Sequence, residues 1–125
     1  MNKSDLGKNK SAVLAAVDFD SIDCAESLDE LENLAKTAGI EVLGRITQKR
    51  EAPENSTYFG QGKLTELEQM IQETGASAVI FDDELTPAQL NNIEKTVNAF
   101  VADRTMLILD IFAQRAKTAE GRLQV

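Results

Sequence analysis

Two kinds of apolar pattern alternate along the chain. Val13-Leu14-Ala15-Ala16-Val17, Ala78-Val79-Ile80-Phe81 and Phe100-Val101-Ala102 are short unbroken runs, the pattern of strands covered on both faces. Glu41 to Ile46, with Val42 and Leu43 apolar, reads as another strand. Between the runs, apolar residues recur every three or four positions. Leu28, Leu31, Leu34, Ala35 and Ala38 line one helical face; Leu64, Leu67, Met70 and Ile71 a second; Leu90, Ile93 and Val97 a third. Met106 to Phe112 is apolar nearly all round, which predicts a fourth helix buried on more than one side.

Local signals punctuate these elements. Ser27 followed by Glu30 predicts a capping box for the first helix, and Gly39 is placed as its left-handed terminator. Thr86-Pro87-Ala88-Gln89 supplies a cap, a proline at the first helical position and a glutamine at the third. Thr47 to Tyr58 reads as a loop broken by Pro53 and Asn55, and residues 1–11 as a disordered tail. The order β-α-β-α-β-α-β-α predicts an α/β fold over residues 12–117. Its core is a four-stranded parallel sheet with helices on both faces, and right-handed crossovers favour the order 2-1-3-4.

Composition narrows the setting. A single cysteine, Cys24, and no histidine exclude an internal disulfide, a zinc site and histidine-based acid–base or triad chemistry. No stretch approaches the roughly 20 apolar residues of a membrane span, so a cytoplasmic protein is expected. The net charge of −8 argues against broad nucleic-acid binding, yet basic residues outnumber acidic ones from Arg104 onward.

Three groupings could carry chemistry. Asp18, Asp82, Asp83 and Asp103 follow strands, at the edge where parallel sheets bind ligands, and converging carboxylates there could hold Mg²⁺ or accept a phosphoryl group. The plainer reading is that they cap helices and close turns. Gly60, Gly62 and Lys63 form a candidate anion-binding turn, but the spacing of a P-loop and its Ser or Thr after the lysine are missing. Lys49, Arg50 and Lys63 cluster near the second strand's end, with Tyr58 and Phe59 as stacking partners; Arg115, Lys117 and Arg122 follow on the last helix. Cys24, among Asp20, Asp23 and Glu26, reads as an inert thiol.

Five segments carry a resemblance: Ala35-Lys36-Thr37-Ala38-Gly39; Gly44-Arg45-Ile46-Thr47-Gln48-Lys49-Arg50; Thr57-Tyr58-Phe59-Gly60-Gln61-Gly62-Lys63; Phe81-Asp82-Asp83-Glu84-Leu85-Thr86-Pro87-Ala88-Gln89; and Asp103-Arg104-Thr105 through Asp110-Ile111-Phe112-Ala113-Gln114-Arg115-Ala116. With the closing Glu120-Gly121-Arg122-Leu123-Gln124-Val125, they resemble the N-terminal domain of the HflX family of ribosome-associated GTPases. The resemblance implies that residues 118–125 begin a helical hairpin leading to a separate GTPase domain, and that hairpin and GTPase domain are partners of this one. It also implies GTP and Mg²⁺ as cofactors of the full-length protein, binding to the large ribosomal subunit through rRNA and ribosomal protein, and a part in splitting or rescuing ribosomes. Lys49, Arg50, Tyr58, Lys63, Arg115, Lys117 and Arg122 are then the candidate ribosome-facing residues. No GTPase motif lies in the chain, so no GTP site or catalytic residue is carried onto it. The alternative is an independent nucleotide-binding or phospho-accepting α/β domain.

Overall fold

The structure, a computed structural model, describes Leu6 and residues 9–18, 23–49 and 57–123, with side chains through Ala116. Four strands, β1 (Ser11–Asp18), β2 (Glu41–Lys49), β3 (Ala78–Phe81) and β4 (Phe100–Asp103), alternate with four helices, α1 (Cys24–Thr37), α2 (Gln61–Thr74), α3 (Pro87–Val97) and α4 (Arg104–Leu123). All pairings are parallel and the order is β2-β1-β3-β4, as the alternating pattern predicts.

β1 is central, and its alternation builds two cores. Val13, Ala15 and Val17 face α2 and α3 through Leu64, Leu67, Ile93 and Val97. Ala12, Leu14 and Ala16 face α1 and α4 through Leu28, Leu31, Leu107 and Ile111. The second core also buries Leu6, which is 1% exposed although the polar residues around it suggest a disordered tail. Lys10, from the same stretch, accepts a hydrogen bond on its carbonyl from the N–H of Glu41.

β2 runs on to Lys49, three residues past the strand expected from its apolar content. As an edge strand it needs apolar side chains on one face only, and its backbone stays paired with β1 to the register Asp18↔Lys49. The register shifts between Ala12 and Val13, where Leu43 is the extra residue on β2.

The helix ends follow the sequence signals in two places and depart from them in a third. At α3 both halves of the capping box form, Thr86 Oγ1 accepting from Gln89 N at 3.1 Å and Gln89 Oε1 from Thr86 N at 2.9 Å. After α1, Gly39 takes φ +82°, with Gly39 N–H bonded to Lys36 O and Ile40 N–H to Ala35 O. Those are the two hydrogen bonds of a Schellman motif. The box expected from Ser27 and Glu30 does not form. α1 begins earlier, with Asp23 at its N-cap, so Ser27 lies inside the helix and both side chains are free for a long-range contact.

Candidate functional site

The sheet order places the topological switch point between β1 and β3, where chains of this architecture bind ligands beyond the strands' carboxyl ends. Asp82 and Asp83 follow β3 there, and Asp103 ends β4. Each carboxylate already has protein donors. Asp82 Oδ1 accepts from Arg104 Nη1 at 2.9 Å, and its Oδ2 accepts from Ser27 Oγ at 2.5 Å. Arg104 Nη2 also reaches Glu30 Oε1 at 2.5 Å. One guanidinium therefore joins the root of α4, the end of β3 and the first turns of α1. Asp103, 3% exposed, accepts from Leu85 N and Met106 N, both at 2.9 Å, so it caps α4 and anchors the loop entering α3.

Asp83 accepts a hydrogen bond from the Tyr58 hydroxyl. Tyr58 sits in a tight turn in which Phe59 N–H bonds Thr57 O at 2.7 Å, and its φ of +67° is a costly conformation for a residue with a side chain. Packing of its ring against Phe59 and Phe81 and the bond to Asp83 hold it there. Burial raises the Tyr58 phenol pKa well above its usual value, with the Asp83 hydrogen bond adding to the effect. Cys24 is raised too, first by burial and then by Asp18, Asp82 and Asp83, so its thiol stays protonated, in line with the inert reading.

The glycine turn is similarly occupied. Gly60 N–H donates to Gln48 Oε1 at 2.9 Å, and Lys63 Nζ pairs with Glu66 at 2.8 Å. A Cβ added at Gly62 would meet nothing within 4 Å, so no close backbone approach requires that glycine. At this turn the Gly60 N–H and the Lys63 ammonium are bonded to the protein itself, and at the acidic edge Asp82, Asp83 and Asp103 each accept from protein donors, so neither place presents these groups free to GTP with Mg²⁺. Among the described residues, no three or more His, Cys, Asp or Glu side chains stand together to hold a metal ion.

The basic candidates fall in separate places. Lys49 is exposed at the end of β2, and Lys63 lies close by in sequence to the Gln48–Gly60 bond that joins β2 to α2. Arg115 is exposed on α4, roughly 16 Å along the helix from Arg104 at 1.5 Å per residue. Arg50 lies outside the described residues, as do the side chains of Lys117 and Arg122. Tyr58, expected to face a partner, is 4% exposed; its ring fills the core and leaves no face on which a base could stack.

Sequence reasoning passed over Arg104 as a hub. A signal was present: a cation at the first position of a helix opposes the helix dipole, so it implies a carboxylate partner.

A family model described as GTP-binding GTPase N-terminal matches residues 25–113. GTPase HflX of Alkalihalophilus pseudofirmus is 57% identical over 100 residues, covering 80% of this chain. This chain belongs to the HflX N-terminal domain family. GTPase HflX of Escherichia coli is 47% identical over 116 residues, covering 93% of the chain and 27% of the relative. The chain thus spans about a quarter of the curated relatives it matches, 24% in the first case. Among solved structures, a variant of SsGBP superposes with a TM-score of 0.67 at 25% identity, over 83% of this chain and 32% of that one. A GTP-binding protein from Sulfolobus solfataricus in complex with GDP shares the fold at a TM-score of 0.63 and 23% identity, over 83% of this chain and 30% of that one. Among the described residues of this HflX domain, no helix is long and apolar enough to cross a membrane.

Proposed function

We propose that this HflX domain is a docking and mounting module of a larger GTPase: it binds the large ribosomal subunit and holds α4 rigidly at its root. GTP is bound with Mg²⁺ and hydrolysed elsewhere in the protein, which helps split or rescue ribosomes in the cytoplasm. The observation that carries this reading is the Arg104 bridge. At the switch point, side chains that could meet a ligand are used to lock α4 to β3 and α1. From there α4 extends twenty residues, about 30 Å, with positions 112–116 exposed.

Lys49 and Arg115 supply the cations for binding phosphate, with Lys63, Arg50, Lys117 and Arg122 as further candidates. The test is charge reversal of Lys49 and Arg115 in a full-length GTPase HflX, with its affinity for purified large subunits measured across a salt series. The reading expects weaker binding, and a log–log salt slope shallower by about one for each phosphate that the variant no longer neutralises. Unchanged affinity and slope would overturn it.

A further inference from the structure

A groove of about 570 Å³ lies between α3 and α4 alongside β4, in a part of the domain the ribosomal reading does not use. Its floor is closed to strand pairing, because Val101, Ala102 and Asp103 of β4 are buried. Its walls are side chains of the two helices, which cover opposite faces of the sheet and both reach past its β4 edge. α3 contributes Pro87, Leu90, Asn91 and Glu94, the i, i+3, i+4, i+7 set of one helical face. α4 contributes Thr105, Met106 and Leu109. A slot walled by two helical faces is shaped for a third helix, whose side-chain ridges pack between theirs. The apolar surface also runs on beyond the slot, with Leu109 48% exposed and Phe112 60%.

The rim gives the occupant's charge. Glu84 and Glu94 line the groove, and no Lys or Arg is among the lining residues. Asp82, Asp83 and Asp103 are all held by protein donors, whereas neither the Glu84 nor the Glu94 carboxylate has a hydrogen bond or ion pair among the described residues. We propose that this groove takes up an amphipathic helix of a partner protein, apolar on one face and basic along its flank. Its apolar face packs against Leu90 on one side and Met106 and Leu109 on the other. Cations two turns apart on its flank, about 10 Å, lie along the α3 wall, where Glu84 precedes the helix and Glu94 is two turns into it. The apolar walls supply the affinity of a helix in a groove, and the two free carboxylates supply the preference for a basic one.

The test uses a fluorescent synthetic peptide with leucine at i, i+3, i+4 and i+7 and lysine elsewhere, titrated by anisotropy into the chain and into a full-length GTPase HflX, with amide shifts of the chain read by NMR. The expected result is saturable binding to both proteins that moves the amides of Leu90, Glu94, Met106 and Leu109 and weakens as salt is raised. Affinity should fall at least about tenfold with Leu109→Lys and with Glu84→Lys plus Glu94→Lys. Glu68→Lys plus Glu73→Lys on α2, the same change of net charge outside the groove, should cost less than about threefold. Leu109, Glu84 and Glu94 are not buried, so these variants should keep their fold, with circular dichroism as the check. The proposal is overturned if the amides that move lie away from α3 and α4, or if the α2 pair weakens binding as much as the groove pair. It is also overturned if the peptide binds as tightly with glutamate in place of lysine, or with prolines that prevent a helix. Binding to the isolated chain but not to the full-length GTPase HflX would overturn it too, since the protein's own later residues would then fill the groove.

Discussion

Replacing Arg104 by methionine tests whether the bridge at the switch point fixes α4. The substitution keeps a long apolar stem and removes the guanidinium, leaving Asp82, whose side chain is 9% exposed, with the Ser27 hydroxyl but no cation. Breaking a fully buried pair costs about 3–5 kcal/mol. Arg104 keeps 24% of its side-chain surface in solvent, so screening reduces the expected loss to about 2 kcal/mol. The arm to Glu30, whose side chain is 68% exposed, contributes under about 0.5 kcal/mol. At about 4 °C per kcal/mol for a domain of this size, Tm falls by about 8 °C. Urea unfolding followed by circular dichroism gives the free energies, and two double-mutant cycles divide them. Coupling of Arg104→Met with Asp82→Asn should be about 1–2 kcal/mol, and coupling with Glu30→Gln should be below about 0.5 kcal/mol. If the Glu30 coupling equals the Asp82 coupling, or Tm falls by less than about 2 °C, the bridge does not hold α4 in the way argued.

Tyr58→Phe keeps the ring packing and loses the hydroxyl bond to Asp83, at a cost of about 1 kcal/mol in urea unfolding. The raised Tyr58 pKa means the folded chain holds the phenol proton more tightly than the unfolded chain. That contribution is complete below the unfolded value of about 10 and is lost as pH rises beyond it, so the wild type should lose stability relative to Tyr58→Phe only there. Tyr58 is the single tyrosine, so in a spectrophotometric titration its phenolate should appear together with unfolding and not before it. Cys24 should alkylate more slowly in the folded chain than in urea at the same mildly alkaline pH, because its raised pKa limits the thiolate; equal rates would contradict its placement. Gly39→Ala should destabilise by about 1 kcal/mol, because alanine resists the left-handed conformation at the end of α1. Gly62→Ala, with open space around its Cβ in the first turn of α2, should be neutral or stabilising by up to about 1 kcal/mol in the same assay.

The parts of this HflX domain legible in the sequence are those where one local rule decides. The apolar runs of β1, β3 and β4 must be covered on both faces, and Thr86 to Gln89 carries its own two hydrogen bonds. Ser27 shows how such a rule fails. Its spacing to Glu30 is that of a capping box, but Asp82 and Arg104, which draw both side chains away, lie 55 and 77 residues from Ser27 along the chain. Tyr58 fails for a related reason: it sits in a polar, glycine-flanked stretch that reads as surface, and only packing against Phe81, across the chain, buries it. Leu6 is hidden in the same way among polar neighbours. The candidate site was thus half visible. The acidic residues after the strands could be placed at one edge, but their partners could not be named without the tertiary structure.

The most direct test of the central claim is to titrate the isolated chain, in one calorimetric design, first with GTP and Mg²⁺ and then with purified large ribosomal subunits. The account predicts no binding heat with the nucleotide, and saturable binding to the subunit that Lys49→Glu with Arg115→Glu weakens. Saturable GTP binding, or a subunit affinity the double variant leaves intact, would contradict it.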